Sequence, residues 1–134
     1  MVYVTRREHF NAAHKLICSQ WSEEANQEVF GKCANPNWHG HNYDLWVTVK
    51  GTPNPETGFV LNTQVLSKII KEHIIEKLDH RNLNKDIDLE GLQPSSENLA
   101  IWIWNTLKPF ISQGELHCIK LQETENIYVE YYGD

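Results

Sequence analysis

An alternating stretch that begins with two histidines constrains this chain more than any other feature of its sequence. From His39 onward, residues 43, 45, 47 and 49 are apolar, whereas residues 42, 44, 48 and 50 are mostly polar. This period of two is typical of a β-strand with one buried face. His39 and His41 stand at the start of the strand and point to the same face, with Cα atoms about 6.6 Å apart.

The rest of the chain divides into five further elements, without a repeat, a linker or a low-complexity tract. Three of them have the composition of strands, and two have apolar residues at helical spacing. The predicted strands cover 2–13, the stretch from 39, 116–123 and 127–132, and the predicted helices cover 63–78 and 96–110. This ββααββ order predicts an α+β fold in which a four-stranded antiparallel sheet carries two helices on one face.

Length and charge exclude several classes of protein. The 134 residues suit a single domain, 1–134, and 12 Lys+Arg against 18 Asp+Glu give a formal charge of −6. No apolar run could cross a membrane or serve as a signal peptide. Three widely spaced cysteines favour reduced thiols, so we expect a cytoplasmic protein. The acidic balance argues against nucleic-acid binding, but it allows a small anionic substrate held by local cations.

The pair His39 and His41 indicates a metal site. Neutral imidazole is a leading zinc ligand, and three protein ligands with an open fourth position define a catalytic zinc site. The third ligand could be His9 or His14, and His14 is preferred because the small residues before it allow close approach. The alternative is a pair of hydrogen-bonded histidines without a metal.

Cys33 lies six residues before His39 and has three possible roles. A nearby Zn²⁺ and Lys32 would stabilise its thiolate, which could then act as a base or nucleophile. It could also be an inert buried thiol. As a third possibility, it could be a fourth zinc ligand that closes the site and makes it structural.

Two further pairs are ambiguous when taken alone. In Asp79-His80, a carboxylate can orient an imidazole for proton transfer, although the pair taken alone favours a salt bridge at a helix end. Glu123, in Glu123-Thr124, could bind the amidine-like edge of a heterocycle through two parallel hydrogen bonds, or it could face water.

Five segments together resemble the 6-pyruvoyl tetrahydropterin synthase family, nearly from end to end. They are Phe10-Asn11-Ala12-Ala13-His14, Cys33 with His39-Gly40-His41-Asn42-Tyr43, Leu78-Asp79-His80-Arg81-Asn82-Leu83, Ser95-Ser96-Glu97-Asn98 and Glu123-Thr124. The resemblance implies the tunnelling fold, in which three subunits form a twelve-stranded barrel. Two trimers stack into a homohexamer with the pterin pocket at a subunit interface. Such closure would protect the edges of the sheet.

The resemblance also implies a role for each motif. The implied zinc ligands are His14, His39 and His41; the catalytic residues are Cys33, Asp79 and His80; and the pterin-binding positions are Glu123, Thr124, Ser96 and Glu97. Candidates for binding a triphosphate are Arg6, Arg7, Lys15 and Lys32.

Members of the family convert 7,8-dihydroneopterin triphosphate to one of two products. One branch makes 6-pyruvoyl tetrahydropterin for tetrahydrobiopterin synthesis, and the other makes 6-carboxy tetrahydropterin and acetaldehyde for queuosine. The spacing from Cys33 to His39 and the presence of Asn62 resemble the first branch. Trp38 departs from the family pattern, which has a small residue before the ligand histidine. A non-catalytic structural zinc module is the remote alternative.

Overall fold

A five-stranded sheet forms the frame of the molecule, for which a computed structural model describes all 134 residues. The strands lie in the order β3-β1-β2-β4-β5, and all neighbours are antiparallel except β3 and β1. Their bounds are β1 Val2–His14, β2 His39–Gly51, β3 Arg81–Asn82, β4 Glu115–Thr124 and β5 Ile127–Tyr131.

The helical elements lie between β1 and β4 in the sequence. They are α1 Glu23–Phe30 with a 3-10 turn at Gly31–Ala34, α2 Thr63–Ile70, a π-helical turn at Lys71–Ile75, α3 Glu76–Leu78, and α4 Ser96–Leu107 with a 3-10 turn at Lys108–Phe110. The predicted helix 63–78 is therefore helical throughout, with a π turn in its middle. None of the helices combines the length and apolar character needed to cross a lipid bilayer.

The structure confirms the α+β class and adds two elements to the predicted ββααββ order. Strand β3 has only two residues and is defined by its parallel pairing with Ala12 and Ala13 of β1, so the sheet has five strands instead of four. Helix α1 is capped at its N-terminus by Ser22, whose hydroxyl accepts a hydrogen bond from the Ala25 amide, and at its C-terminus by Gly31, which has a φ of 57°. Because α1 contains few apolar residues, its sequence shows no helical periodicity.

The core lies between one face of the sheet and helices α2 and α4. Phe10 of β1 and Tyr43 of β2 stack with ring centroids 4.8 Å apart, and α4 contributes Leu99, Ile103 and Leu107, which are fully buried. Alternate residues of β1 and β2 point into this core, as the period of two predicted. The last residue of β1 on that face is His14, so the core packing fixes where the histidines meet.

A buried hydrogen bond joins helix α2 to β1. The Ser67 hydroxyl donates to Glu8 Oε1 at 2.7 Å, and Arg6 Nε donates to the same oxygen at 3.0 Å. The Glu8 side chain is only 11% exposed. Burial raises the pKa of Glu8, but the bonds from Ser67 and Arg6 together bring that pKa below its ordinary value. The ionised form of Glu8 is therefore stabilised by folding.

Ser67→Ala should lower the free energy of unfolding by about 1 kcal/mol at pH 7, because it removes a hydrogen bond to a partly buried charge. A group whose pKa is depressed by folding stabilises the protein above its unfolded pKa, and this stabilisation is lost as the pH falls through the folded pKa. The difference between the two proteins should therefore shrink below about pH 4.5, the ordinary pKa of Glu8. Urea denaturation at pH 7 and pH 4 measures both values. Exposed Ser112 provides the control, Ser112→Ala, and an equal loss at both pH values would contradict this account.

Candidate active site

Three histidines meet at one corner of the sheet. His14, the last residue of β1, pairs in register with His39, the first residue of β2, and His41 follows on the same face. The ring centroids are 4.5 Å apart for His14 and His39, 4.8 Å for His39 and His41, and 5.1 Å for His14 and His41. His9 is exposed and pairs with Asp44 farther along the strands. Of the two candidates for a third ligand, the structure brings His14 to the pair.

A carboxylate completes the cluster. One ligand atom from each of His14, His39, His41 and Glu123 can be chosen so that all four lie within 4.8 Å of one another. Glu123 Oε1 lies 3.2 Å from His14 Nε2 and 3.3 Å from His41 Nε2. For metal–ligand bonds of 2.0–2.1 Å, adjacent ligands of a tetrahedral zinc ion are about 3.3 Å apart. The cluster can therefore hold a metal ion.

The hydrogen bonding of the histidines also fits a metal. Nε2 of His14, Nε2 of His41 and both ring nitrogens of His39 are buried and form no hydrogen bond. His14 Nδ1 lies 2.8 Å from the carbonyl oxygen of Pro94. Since a carbonyl only accepts, Nδ1 carries the proton and Nε2 keeps its lone pair for a metal, the usual arrangement behind a ligating imidazole.

The electrostatics favour the protonation states that a metal requires. Burial lowers the pKa of His39 and of His41, and the neighbouring imidazoles lower both further. The close contact with His14, whose Nε2 lies 3.2 Å from Oε1, is the main cause that holds the pKa of Glu123 below its ordinary value. Neutral imidazoles and an ionised carboxylate are the forms that bind metal ions.

Cys33 lies in the 3-10 turn Gly31–Ala34, where the charge of Glu123 acts on its thiol, but it is not one of the four residues whose atoms converge. Its carbonyl accepts a hydrogen bond of 2.7 Å from the amide of Leu16, two residues after His14. Its side chain is half-buried. Burial and the charge of Glu123 raise the pKa of the Cys33 thiol, while Lys32 points to solvent. In the protein alone the thiol form is favoured, and a bound cation would act in the opposite direction.

Asp79 and His80 form a pair on a different surface. His80 Nδ1 lies 3.0 Å from Asp79 Oδ2, and the His80 side chain is 82% exposed. The backbone amide of Asn11 donates to Asp79 Oδ1 at 2.9 Å. That bond is the main cause that lowers the pKa of Asp79, and the contact with His80 adds to it. The carboxylate is thus ionised and oriented toward the imidazole.

This pair borders an open cavity of about 610 Å³ that includes no residue of the histidine cluster. Asn11 and Asn42 line it, and the side-chain Nδ2 of Asn11 donates a hydrogen bond of 2.7 Å to Oδ1 of Asn42. Since side chains alternate along a strand, Asn11 points to the face opposite Ala12 and His14. Within one chain, the structure does not bring Asp79 and His80 to the histidine cluster.

The other residues that were predicted to bind substrate differ in their burial and hydrogen bonding. Ser96 is buried at the start of α4, whereas Glu97 is exposed in the first turn of that helix. Ser95 caps the helix, and its hydroxyl accepts a hydrogen bond from the Asn98 amide. Thr124 accepts a hydrogen bond from the Asn126 amide in the final hairpin.

Two features of the cluster were not predicted. The contact from Pro94 to His14 uses a main-chain carbonyl, which leaves no signal in a sequence. Glu123 was predicted to contact a heterocycle, and its place among the atoms that could hold a metal depends on strand pairing between β2 and β4.

Comparisons with known proteins identify the family to which the chain belongs. Residues 3–134 match the family model for 6-pyruvoyl tetrahydropterin synthase. Two relatives named 6-pyruvoyl tetrahydrobiopterin synthase, from Homo sapiens and Dictyostelium discoideum, are each 42% identical to this chain. Their alignments cover 98% and 99% of this chain and 91% and 97% of the respective relatives.

A solved structure is also similar. The 6-pyruvoyl tetrahydropterin synthase of Caenorhabditis elegans superposes with a TM-score of 0.92 at 36% identity, covering 99% of this chain and 96% of that one. The resemblance seen in the five sequence segments is thereby confirmed. This chain belongs to the 6-pyruvoyl tetrahydropterin synthase family.

Proposed function

We propose that this protein is a zinc-dependent lyase that converts 7,8-dihydroneopterin triphosphate to 6-pyruvoyl tetrahydropterin and triphosphate, a reaction of tetrahydrobiopterin synthesis. The observation that carries the proposal is the convergence of His14, His39, His41 and Glu123 on one position beside Cys33. The names of the relatives and the spacing from Cys33 to His39 support this product over the 6-carboxy alternative.

Zinc suits the donor set better than a harder cation. Three imidazoles and one carboxylate are typical zinc ligands, whereas Mg²⁺ and Ca²⁺ prefer oxygen donors. When bound, the ion would supply Lewis-acid chemistry at the hydroxylated side chain of the substrate. A catalytic site keeps one ligand position open, so His14, His39 and His41 would hold the ion and Glu123 would be free to bind the substrate.

Side chains of the protein would then remove the proton and bind the pterin ring. Cys33 would remove the proton from the side-chain carbon next to the pterin ring, since its thiol is half-buried beside the cluster. Glu123, released from the histidines, would accept hydrogen bonds from the amino and ring N–H edge of the pterin. That contact would place the reacting carbon close to the thiolate, and an error of about 1 Å could reduce the rate about 10²-fold. Ser96, Glu97 and Thr124 are proposed as secondary contacts.

Asp79 and His80 would return protons during the reaction, with the ionised Asp79 stabilising the imidazolium. Because this pair lies apart from the cluster in one chain, a complete site requires His80 from another copy of the chain. This requirement supports the proposed homohexamer with pockets between subunits.

A subunit-mixing experiment tests the shared site. Cys33→Ala and His80→Ala should each be inactive, whereas a mixture of both chains that is unfolded and refolded together should regain about a quarter of the wild-type rate. In a random equal mixture, a site built from two chains has both groups intact about one time in four. Each variant refolded alone is the control. No recovery in mixed assemblies would contradict a site shared between chains.

Product analysis by mass spectrometry after supplying 7,8-dihydroneopterin triphosphate tests the function itself. The proposal predicts 6-pyruvoyl tetrahydropterin and triphosphate. Formation of 6-carboxy tetrahydropterin with acetaldehyde would assign the protein to the other branch. An unchanged substrate with zinc-loaded protein would favour a structural zinc module, which also predicts that Asp79→Asn and Glu123→Gln change no activity.

A further inference from the structure

Trp38, directly before His39, has an unusual backbone conformation. Its φ is 65°, which L-residues rarely adopt and glycine adopts readily. Asn35 supports the conformation, because its side chain accepts a hydrogen bond from the Asn37 amide at 2.9 Å and its carbonyl accepts one from the Trp38 amide at 3.1 Å. Residues in such rarely populated conformations cluster at binding and active sites, so the surroundings of the Trp38 side chain are of interest.

Two lysines contact the Trp38 ring. Lys15 Nζ lies 4.4 Å from the centre of the indole, and Lys85 Nζ lies 5.1 Å from the same point. The negative face of an indole attracts ammonium groups, so the ring offsets the repulsion between the two charges. Neither lysine forms a salt bridge with a carboxylate. Both ammonium groups are therefore available to an anion.

The backbone ties the two lysines to the strand ends that carry the histidines. Lys15 follows His14, and both its amide and its carbonyl are hydrogen-bonded to the Asn84 side chain, each at 3.0 Å. Asn84 immediately precedes Lys85, so one side chain ties the two lysine-bearing segments together. In the lysine–tryptophan cluster, defined as Lys15, Trp38 and Lys85, the first two residues are sequence neighbours of the paired His14 and His39.

Three other cationic residues, Arg6, Arg7 and Lys32, are less suitable for binding an anion near the histidines. Arg6 and Arg7 form ion pairs with Glu8 at 3.0 Å and Asp44 at 2.7 Å. They also lie more than about 20 Å from His14 along the strand, at about 3.3 Å per residue. Lys32 is exposed and contacts no aromatic ring, so its position is not fixed in the same way.

We propose that Lys15 and Lys85, held on the ring of Trp38, bind the triphosphate group of the substrate. The inference rests on the proposed function and assigns the residues that recognise the phosphate part of that substrate. Ammonium groups donate hydrogen bonds to phosphate oxygens from several directions, which suits a flexible triphosphate chain. In a chain with a net charge of −6, this cluster supplies a local positive potential at the strand ends that carry His14 and His39.

Titration calorimetry with two ligands tests the inference. Zinc-loaded Cys33→Ala protein, which does not turn over substrate, is titrated with 7,8-dihydroneopterin triphosphate and with 7,8-dihydroneopterin, which lacks the phosphates. Adding Lys15→Gln and Lys85→Gln should weaken binding of the triphosphate roughly 10- to 100-fold, because two charge-assisted contacts are lost. Binding of 7,8-dihydroneopterin should change less than about twofold, since it makes neither contact.

Matched variants separate the roles of the residues. Lys68→Gln with Lys108→Gln removes two exposed charges from the helices and should leave both affinities unchanged. Glycine adopts the backbone conformation of Trp38 readily, so Trp38→Gly should retain the fold. Triphosphate binding should weaken roughly 3- to 10-fold, because the two lysines lose their contacts with the indole ring.

Three results would overturn the inference. They are an unchanged triphosphate affinity in the double lysine variant, an equal loss for both ligands, or a comparable loss in Lys32→Gln alone. If neither pterin binds the parent protein, the proposed function fails as well. If the triphosphate compound binds and the two lysine substitutions have no effect, only the assignment of the lysines is rejected.

Discussion

Replacing Cys33 with alanine should reduce turnover of 7,8-dihydroneopterin triphosphate by at least about 10³-fold while the protein keeps its metal. General-base catalysis contributes about 10²–10⁴-fold, and alanine offers no group that can take the proton. Metal binding should persist because the thiol lies outside the four groups that converge. Initial rates with zinc-loaded protein, together with metal analysis of the same samples, measure both effects.

Cys18→Ala is the matched control, since Cys18 is also a half-buried free thiol in the segment after β1. It should retain near-wild-type turnover. Loss of zinc from Cys33→Ala would show that the sulfur is a metal ligand, and the proposed role as base would then be wrong.

The second large effect is expected at the histidines. His14→Ala or His39→Ala should weaken zinc binding by more than about 100-fold, since even changes behind the ligands cost 10- to 100-fold. Turnover should fall with the metal content. A ligand that binds only the folded state raises its stability, so added zinc should raise the Tm of the wild-type protein and not that of either variant.

His9→Ala is the control for this experiment, because His9 was the alternative third ligand and lies outside the cluster. It should keep the wild-type zinc affinity and the zinc-dependent rise in Tm. Strong zinc binding by His14→Ala, with loss of binding in His9→Ala, would reverse the assignment of the third ligand.

The sequence predicted those parts of the molecule whose signal is local. The alternation from residue 39 predicted β2 because one face of that strand is buried against the helices, and Leu45 and Val47 are fully buried. The long helical segment was predicted in the same way from its apolar stripe. Helix α1 was missed because it lies at the surface, where only the cap at Ser22 and Gly31 marked its ends.

The rest could not be predicted because it depends on contacts between distant segments. Strand β3 exists only through pairing with β1, and the orientation of His14 depends on a carbonyl 80 residues away. Lys85 had no visible role until the fold placed it on the ring of Trp38. The residue types of the candidate site could thus be proposed from sequence, whereas their mutual arrangement required the structure.

A zinc titration of metal-free protein, followed by the rate of 6-pyruvoyl tetrahydropterin formation, is the most direct test of the proposed zinc-dependent lyase activity. The account predicts no product without metal, and a rate that rises linearly and reaches its plateau at one zinc ion per chain. Product formation by the metal-free protein at the full rate would contradict it, as would a protein saturated with zinc that forms no product.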